Sequence, residues 1–119
     1  LSVNINNVEE FLTSELKLSK EESKTFVFIV KNGRKQMEKI AESLKFSEEE
    51  ASNVANSLVE KGMIINISQS EYETLHPRFA ISNRYRRLCE EDCIPFRKNL
   101  LIDNIGIVLE IPFEDARTK

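Results

Sequence analysis

Tryptophan is absent from this 119-residue chain, which also has one histidine, two cysteines, three glycines and three prolines. Each shortage removes a class of function. Gly33, Gly62 and Gly106 stand too far apart to build a glycine-rich phosphate loop. The single histidine has no serine or cysteine nucleophile beside it in a recognisable motif, so nothing supports an enzyme. No cofactor motif is present. Cys89 and Cys93 are too few for a disulfide framework. No apolar run approaches the roughly 20 residues of a membrane helix, and no charged-then-apolar leader precedes the first helical pattern. A cytoplasmic protein without membrane contact is expected.

What remains is ordinary globular material, 40% hydrophobic and 31% charged. The length suits one domain over 1–119, divided into 1–76 and a C-terminal helical part, 77–119. A net charge of −3 conceals patterning. Residues 31–45 set five bases against two acids, and residues 77–99 set six against three. Residues 46–76 carry one base against six acids. Two basic islands thus sit in an acidic chain, and their placement on one face or two bears directly on function.

Periodicity supplies the elements. Ile5, Val8, Phe11, Leu12 and Leu16 recur at helical spacing. Ser19 with Glu22 fits a capping box that starts a second helix. Its Phe26–Val30 segment is apolar enough for a buried strand, but the cap and the helical approach favour a helix closed by Asn32-Gly33. Met37, Ile40, Ala41 and Leu44 form the next stripe, with Arg34, Lys35 and Lys39 beside it. A second capping box, Ser47 with Glu50, opens a helix with Ala51, Val54, Ala55, Leu58 and Val59 inward. Residues 63–67 and 71–75, separated by Ser68-Gln69-Ser70, read as a hairpin. Pro77 suits the first turn of a further helix. A last, nearly all-apolar helix is expected from near Pro95 to about Leu109. Such a helix must be buried, and a second copy of the chain is the expected cover, with Leu101, Ile105 and Val108 at the seam. The fold expected is mainly α with a small β-hairpin, a winged helix-turn-helix plus a C-terminal dimerisation helix.

The run from Ser19 to Gly62, and within it Met37-Glu38-Lys39-Ile40-Ala41-Glu42-Ser43-Leu44 and Ser57-Leu58-Val59-Glu60-Lys61-Gly62-Met63-Ile64, resembles the winged-helix domain of archaeal TrmB-type regulators. The likeness covers about residues 18–75, and parts of the pattern are shared with MarR-like and ArsR-like winged helices. It implies a transcriptional regulator that binds promoter DNA as a dimer. The larger members carry a C-terminal sugar-binding domain for which this chain is too short, so sugar sensing is not carried over. No small-molecule effector can be named from the sequence.

On this reading the helix from Ser47 to Lys61 enters the major groove of double-stranded DNA, presenting Ser52, Asn53, Asn56 and Ser57. Asparagine can pair bidentately with adenine, and serine can reach base edges or phosphates. Arg34, Lys35 and Lys39 are placed to grip phosphates, and Asn66, Ser68 and Gln69 of the wing to reach the neighbouring groove. Glu48, Glu49 and Glu50 oppose this, because carboxylates at that helix start repel the phosphates that supply much of the affinity. They leave open a protein-interaction module as the alternative. Arg78, Arg84, Arg86 and Arg87 either extend the DNA contact or pair with Glu90, Glu91 and the acidic hairpin. A third reading is a metal- or redox-responsive regulator using His76, Cys89 and Cys93, the two thiols sharing a face if their helix is continuous.

Overall fold

A computed structural model describes residues 2–118; the first and last residues of the expected domain, Leu1 and Lys119, lie outside the described part. The elements are α1 (Val8–Leu16), α2 (Lys20–Asn32), β1 (Lys35–Gln36), α3 (Met37–Leu44), α4 (Glu48–Glu60), β2 (Ile64–Ser68), β3 (Glu71–Thr74), α5 (Pro77–Glu91) and α6 (Leu100–Arg117). This is a mainly helical fold with a small antiparallel sheet, a winged helix followed by a C-terminal helix.

Local chemistry sets most of the boundaries. Both capping boxes form: Ser19 Oγ accepts from Glu22 N while Ser19 N donates to Glu22 Oε1, and Ser47 and Glu50 repeat the exchange. Two orphan amides are thereby satisfied at each helix start. Lys17 and Lys45 adopt left-handed backbone, φ 54° and 60°, which turns the chain sharply after α1 and between α3 and α4. Phe46 N then bonds Ala41 O at 2.9 Å, closing the helix-turn-helix corner.

The sheet has three strands in the order β1-β3-β2, one more than the expected hairpin. Lys35 and Gln36, which periodicity placed beside a helix, pair with Tyr72 and Glu71. Gly33, at φ 80°, turns the chain out of α2 and onto β3, and Met37 N bonds Ser70 O at 2.6 Å. α3 therefore begins later than Arg34 and Lys35 suggested. The turn between β2 and β3 is Gln69-Ser70, and the register slips between Asn66 and Ser68.

α5 closes the end of α4. Gly62, at φ 78°, brings the chain so near that Asn83 Nδ2 donates to Gly62 O and Arg87 Nη1 donates to Glu60 O, at 3.3 and 2.6 Å. A Cβ on Gly62 would meet Asn83 Nδ2 at 2.5 Å and Arg87 Nη2 at 2.9 Å. Strain and clash act together there. Gly62→Ala should therefore lower stability by about 1–3 kcal/mol in thermal unfolding, and an unchanged melting temperature would remove the claim that this junction is tight.

The last helix departs most from expectation. It starts at Leu100, where Asn99 Oδ1 accepts from Leu101 N and Ile102 N, and it runs through Pro112 to Arg117. Ile102, Ile105, Gly106 and Leu109 face inward onto α1, α2 and α5, joining Phe26, Ile29, Leu12 and Ile81 in one core cluster. Ile105 is wholly buried, so it cannot line a seam between copies, and Leu101 and Val108 are half-buried. The apolar surface that α6 leaves uncovered consists of Leu100, Ile107 and Ile111. The helix is buried largely by its own chain, because Gly106 lets α5 approach to within 3.1 Å of where a Cβ would stand.

At the other end of α6, Arg117 reaches three elements. Its Nη1 donates to Val30 O and Phe113 O at 3.0 and 2.9 Å, and its Nη2 meets Glu73 and Thr74 of β3. The guanidinium also lies 3.7 Å above the Phe113 ring. The middle strand of the wing is thus clamped to the end of α2 by the last turn of α6.

Candidate nucleic-acid interface

α3, the corner at Lys45-Phe46-Ser47, α4 and the β2–β3 turn supply the surface the sequence assigned to DNA. α4 buries Ala51, Ala55 and Leu58. Its outer side exposes Asn53 and Asn56, with Ser52 half-buried at the flank. Val59, expected inward, is partly exposed. Gln69, Asn66 and Ser68 are exposed on the wing, accompanied by Ile65 and Ile67.

Ser57, expected on the reading face, has partners within the chain. Its hydroxyl donates to Glu22 Oε2, and Lys61 Nζ donates to both Glu22 Oε2 and Ser57 Oγ, at 2.7 and 2.8 Å. Glu22 is buried beneath α4, so the three groups satisfy one another and the half-buried Ser57 hydroxyl is already engaged within the molecule. Burial by itself raises the Glu22 pKa. The Lys61 ammonium, the Ser19 amide and the Ser57 hydroxyl outweigh it and hold the carboxyl below its usual value.

The expected phosphate grips are all engaged. Arg34 Nε stands 3.9 Å from Glu71 Oε1, and Lys39 Nζ stands 3.8 Å from Glu42 Oε1. Lys35 Nζ donates to the Asn32 and Arg34 carbonyls at the exit of α2. Exposed pairs of this kind are weak enough to be exchanged for phosphate. A basic group outside the expected set lies in the groove between α2 and α3, where Lys24, Lys31 and Lys45 surround Val27, Phe28 and Leu44. None of the three makes an ion pair among the described residues. The signal was present in the sequence as Lys24 and Lys31 on one face of α2, with Lys45 brought to them by the helical corner.

The arginine-rich helix α5 works mainly inside the molecule. Arg84 is buried and donates to Leu16 O at 3.0 Å, Arg87 caps α4, and Arg86 pairs with Glu90 at 3.1 Å. Nor do His76, Cys89 and Cys93 form a site. His76 caps the start of α5 and Cys89 lies about 20 Å further along it at helical rise. Cys89 is buried, whereas Cys93 is exposed beyond the helix end in left-handed backbone, so the two thiols do not share a helical face.

The helix-turn-helix, its wing and the first two thirds of α5 coincide with a known sequence family. The family model described as "Sugar-specific transcriptional regulator TrmB" matches residues 12–86. The chain belongs to the TrmB family. It is accordingly a transcriptional regulator of the DNA-binding kind. The matched span of this TrmB protein stops inside α5, leaving α6 outside it. Neither the curated proteins nor the solved structures yield a match. No helix among the described residues is long and apolar enough to cross a membrane.

Proposed function

We propose that this TrmB protein binds double-stranded DNA as a cytoplasmic homodimer, each copy laying α4 in the major groove. The observation that carries the reading is the pair Asn53 and Asn56, exposed on the outer side of a capped helix inside the family-matched span. Both amides are free to pair with adenine edges. Ser52 contributes from the flank, Gln69 from the wing, and Arg34, Lys35 and Lys39 exchange their present partners for phosphates. The uncovered apolar residues of α6, Leu100, Ile107 and Ile111, supply the contact between copies.

A second reading is favoured by Glu48 and Glu49, which stand exposed at the start of α4 and make no ion pair among the described residues. Their charge suits a basic protein surface better than a phosphate backbone.

Fluorescence anisotropy with duplex DNA over a salt series separates the two. Affinity should fall steeply with salt, and Lys39→Ala should reduce the logarithmic slope by about 1. Asn53→Ala and Asn56→Ala should leave the slope alone and each cost about 1–3 kcal/mol on a preferred sequence. Absence of binding at low salt would move the assignment to the protein-interaction reading.

A further inference from the structure

We propose that His76, Glu110 and Glu114 form a binding site for a divalent first-row transition metal such as Zn²⁺. The three side chains come from the N-cap of α5 and from successive turns of α6, and their ligand atoms lie within 4.8 Å of one another. His76 Nε2 is 3.3 Å from Glu110 Oε2. With metal–ligand bonds of about 2.0–2.2 Å, two ligands of a tetrahedral zinc ion stand about 3.4 Å apart, so this edge needs almost no movement. Glu114, one turn beyond Glu110, offers the third ligand atom within the same 4.8 Å.

Charge supplies an independent argument. Glu110, Glu114 and Asp115 occupy the last two turns of α6, where the helix dipole already places partial negative charge. The one base in that stretch, Arg117, is turned toward Glu73. Among the described residues carboxylates therefore outnumber their counterions at this spot, and a divalent cation would relieve the excess. One imidazole with two carboxylates selects Zn²⁺ or its Co²⁺ and Ni²⁺ neighbours over hard, oxygen-seeking Ca²⁺.

The Phe113 ring orients the imidazole, whereas the present bond at Nδ1 has to be given up. His76 Nδ1 accepts from Arg78 N at 3.2 Å, and its ring meets the Phe113 ring edge-on at 5.1 Å. Metal on Nε2 requires the proton on Nδ1, so binding ends the cap at Arg78 N and replaces a long hydrogen bond with a coordinate bond. The ion then joins the start of α5 to the end of α6, beside the Arg117 clamp.

The test is titration of the whole protein carrying Cys93→Ser, which removes the exposed thiol, with Zn²⁺ by calorimetry and with Co²⁺ by visible absorption. One equivalent should bind, with ligand-field bands for Co²⁺ and a raised melting temperature with Zn²⁺. Glu110→Gln and Glu114→Gln should each weaken binding at least tenfold. So should His76→Asn, which keeps a capping side chain at the start of α5. No saturable binding in the Cys93→Ser protein would overturn the site, as would affinity that His76→Asn leaves unchanged.

Discussion

Ile105→Asp should abolish folding rather than merely separate two copies. Ile105 is fully buried among Phe26, Ile29, Ile81 and Leu109. Loss of its packing costs about 2–5 kcal/mol, and an uncompensated buried carboxylate adds several more. A domain of this size holds only about 5–15 kcal/mol in all. Far-UV circular dichroism of the variant should show no cooperative unfolding transition. The informative comparison is Ile111→Asp, on the same helix but 68% exposed. That variant should stay folded and sediment as a monomer if α6 carries the proposed contact between copies. A folded Ile105→Asp protein would refute the core assignment, and a persistent Ile111→Asp dimer would move the interface elsewhere.

Glu22→Ala should have the next largest effect. The substitution strips the buried partner from Lys61 and Ser57 at once. Breaking a buried pair from one side costs about 3–5 kcal/mol. The Lys61 side chain is still 23% exposed, which places the expected loss near the lower end. The effect should depend on pH with a definite sign. The folded-state pKa of Glu22 lies below its usual 4.5, so the contribution is complete above about pH 4.5 and disappears as pH falls through the lowered value. Denaturant titrations of wild type and Glu22→Ala should therefore converge toward acid. A gap of constant size from pH 7 down to pH 3 would show that the carboxylate charge is not what holds α4 to α2. Because α4 is the proposed reading helix, its seating depends on this contact from outside the DNA surface.

The contrast between legible and illegible parts of the fold has physical causes. The starts of α2 and α4 are readable because a capping box is a local device, complete within four residues. Strand β1 is not readable, since two polar residues show no alternation and their pairing is supplied by β3 far along the chain. At the last helix, Phe96 extended the apolar pattern toward Pro95, yet it is exposed, and the start is set by the Asn99 side chain. Its apolar character was real, but sequence alone could not say whether the covering surface came from the same chain. On the candidate interface, Asn53 and Asn56 follow from the helical wheel of α4. Ser57 lies at the border of the buried stripe, where the choice between outward and inward depends on Glu22, 35 positions earlier. The Cys89–Cys93 spacing misled for a related reason, because the helix it presumed ends at Glu91.

The Arg117 clamp has a consequence for how the protein is made. Synthesis is vectorial, so Val30, Glu73 and Thr74 leave the ribosome well before the residue that binds them. Arg117 follows Glu73 by 44 positions and Val30 by 87. At about 5–20 residues per second, the interval after Glu73 is about 2–9 s. During it the capping boxes of α2 and α4 can form, while the middle strand of the wing remains without its outer tether. A nascent chain stalled in that window would lack both this tether and the α6 side of the core, and the wing would be secured only when residue 117 has emerged.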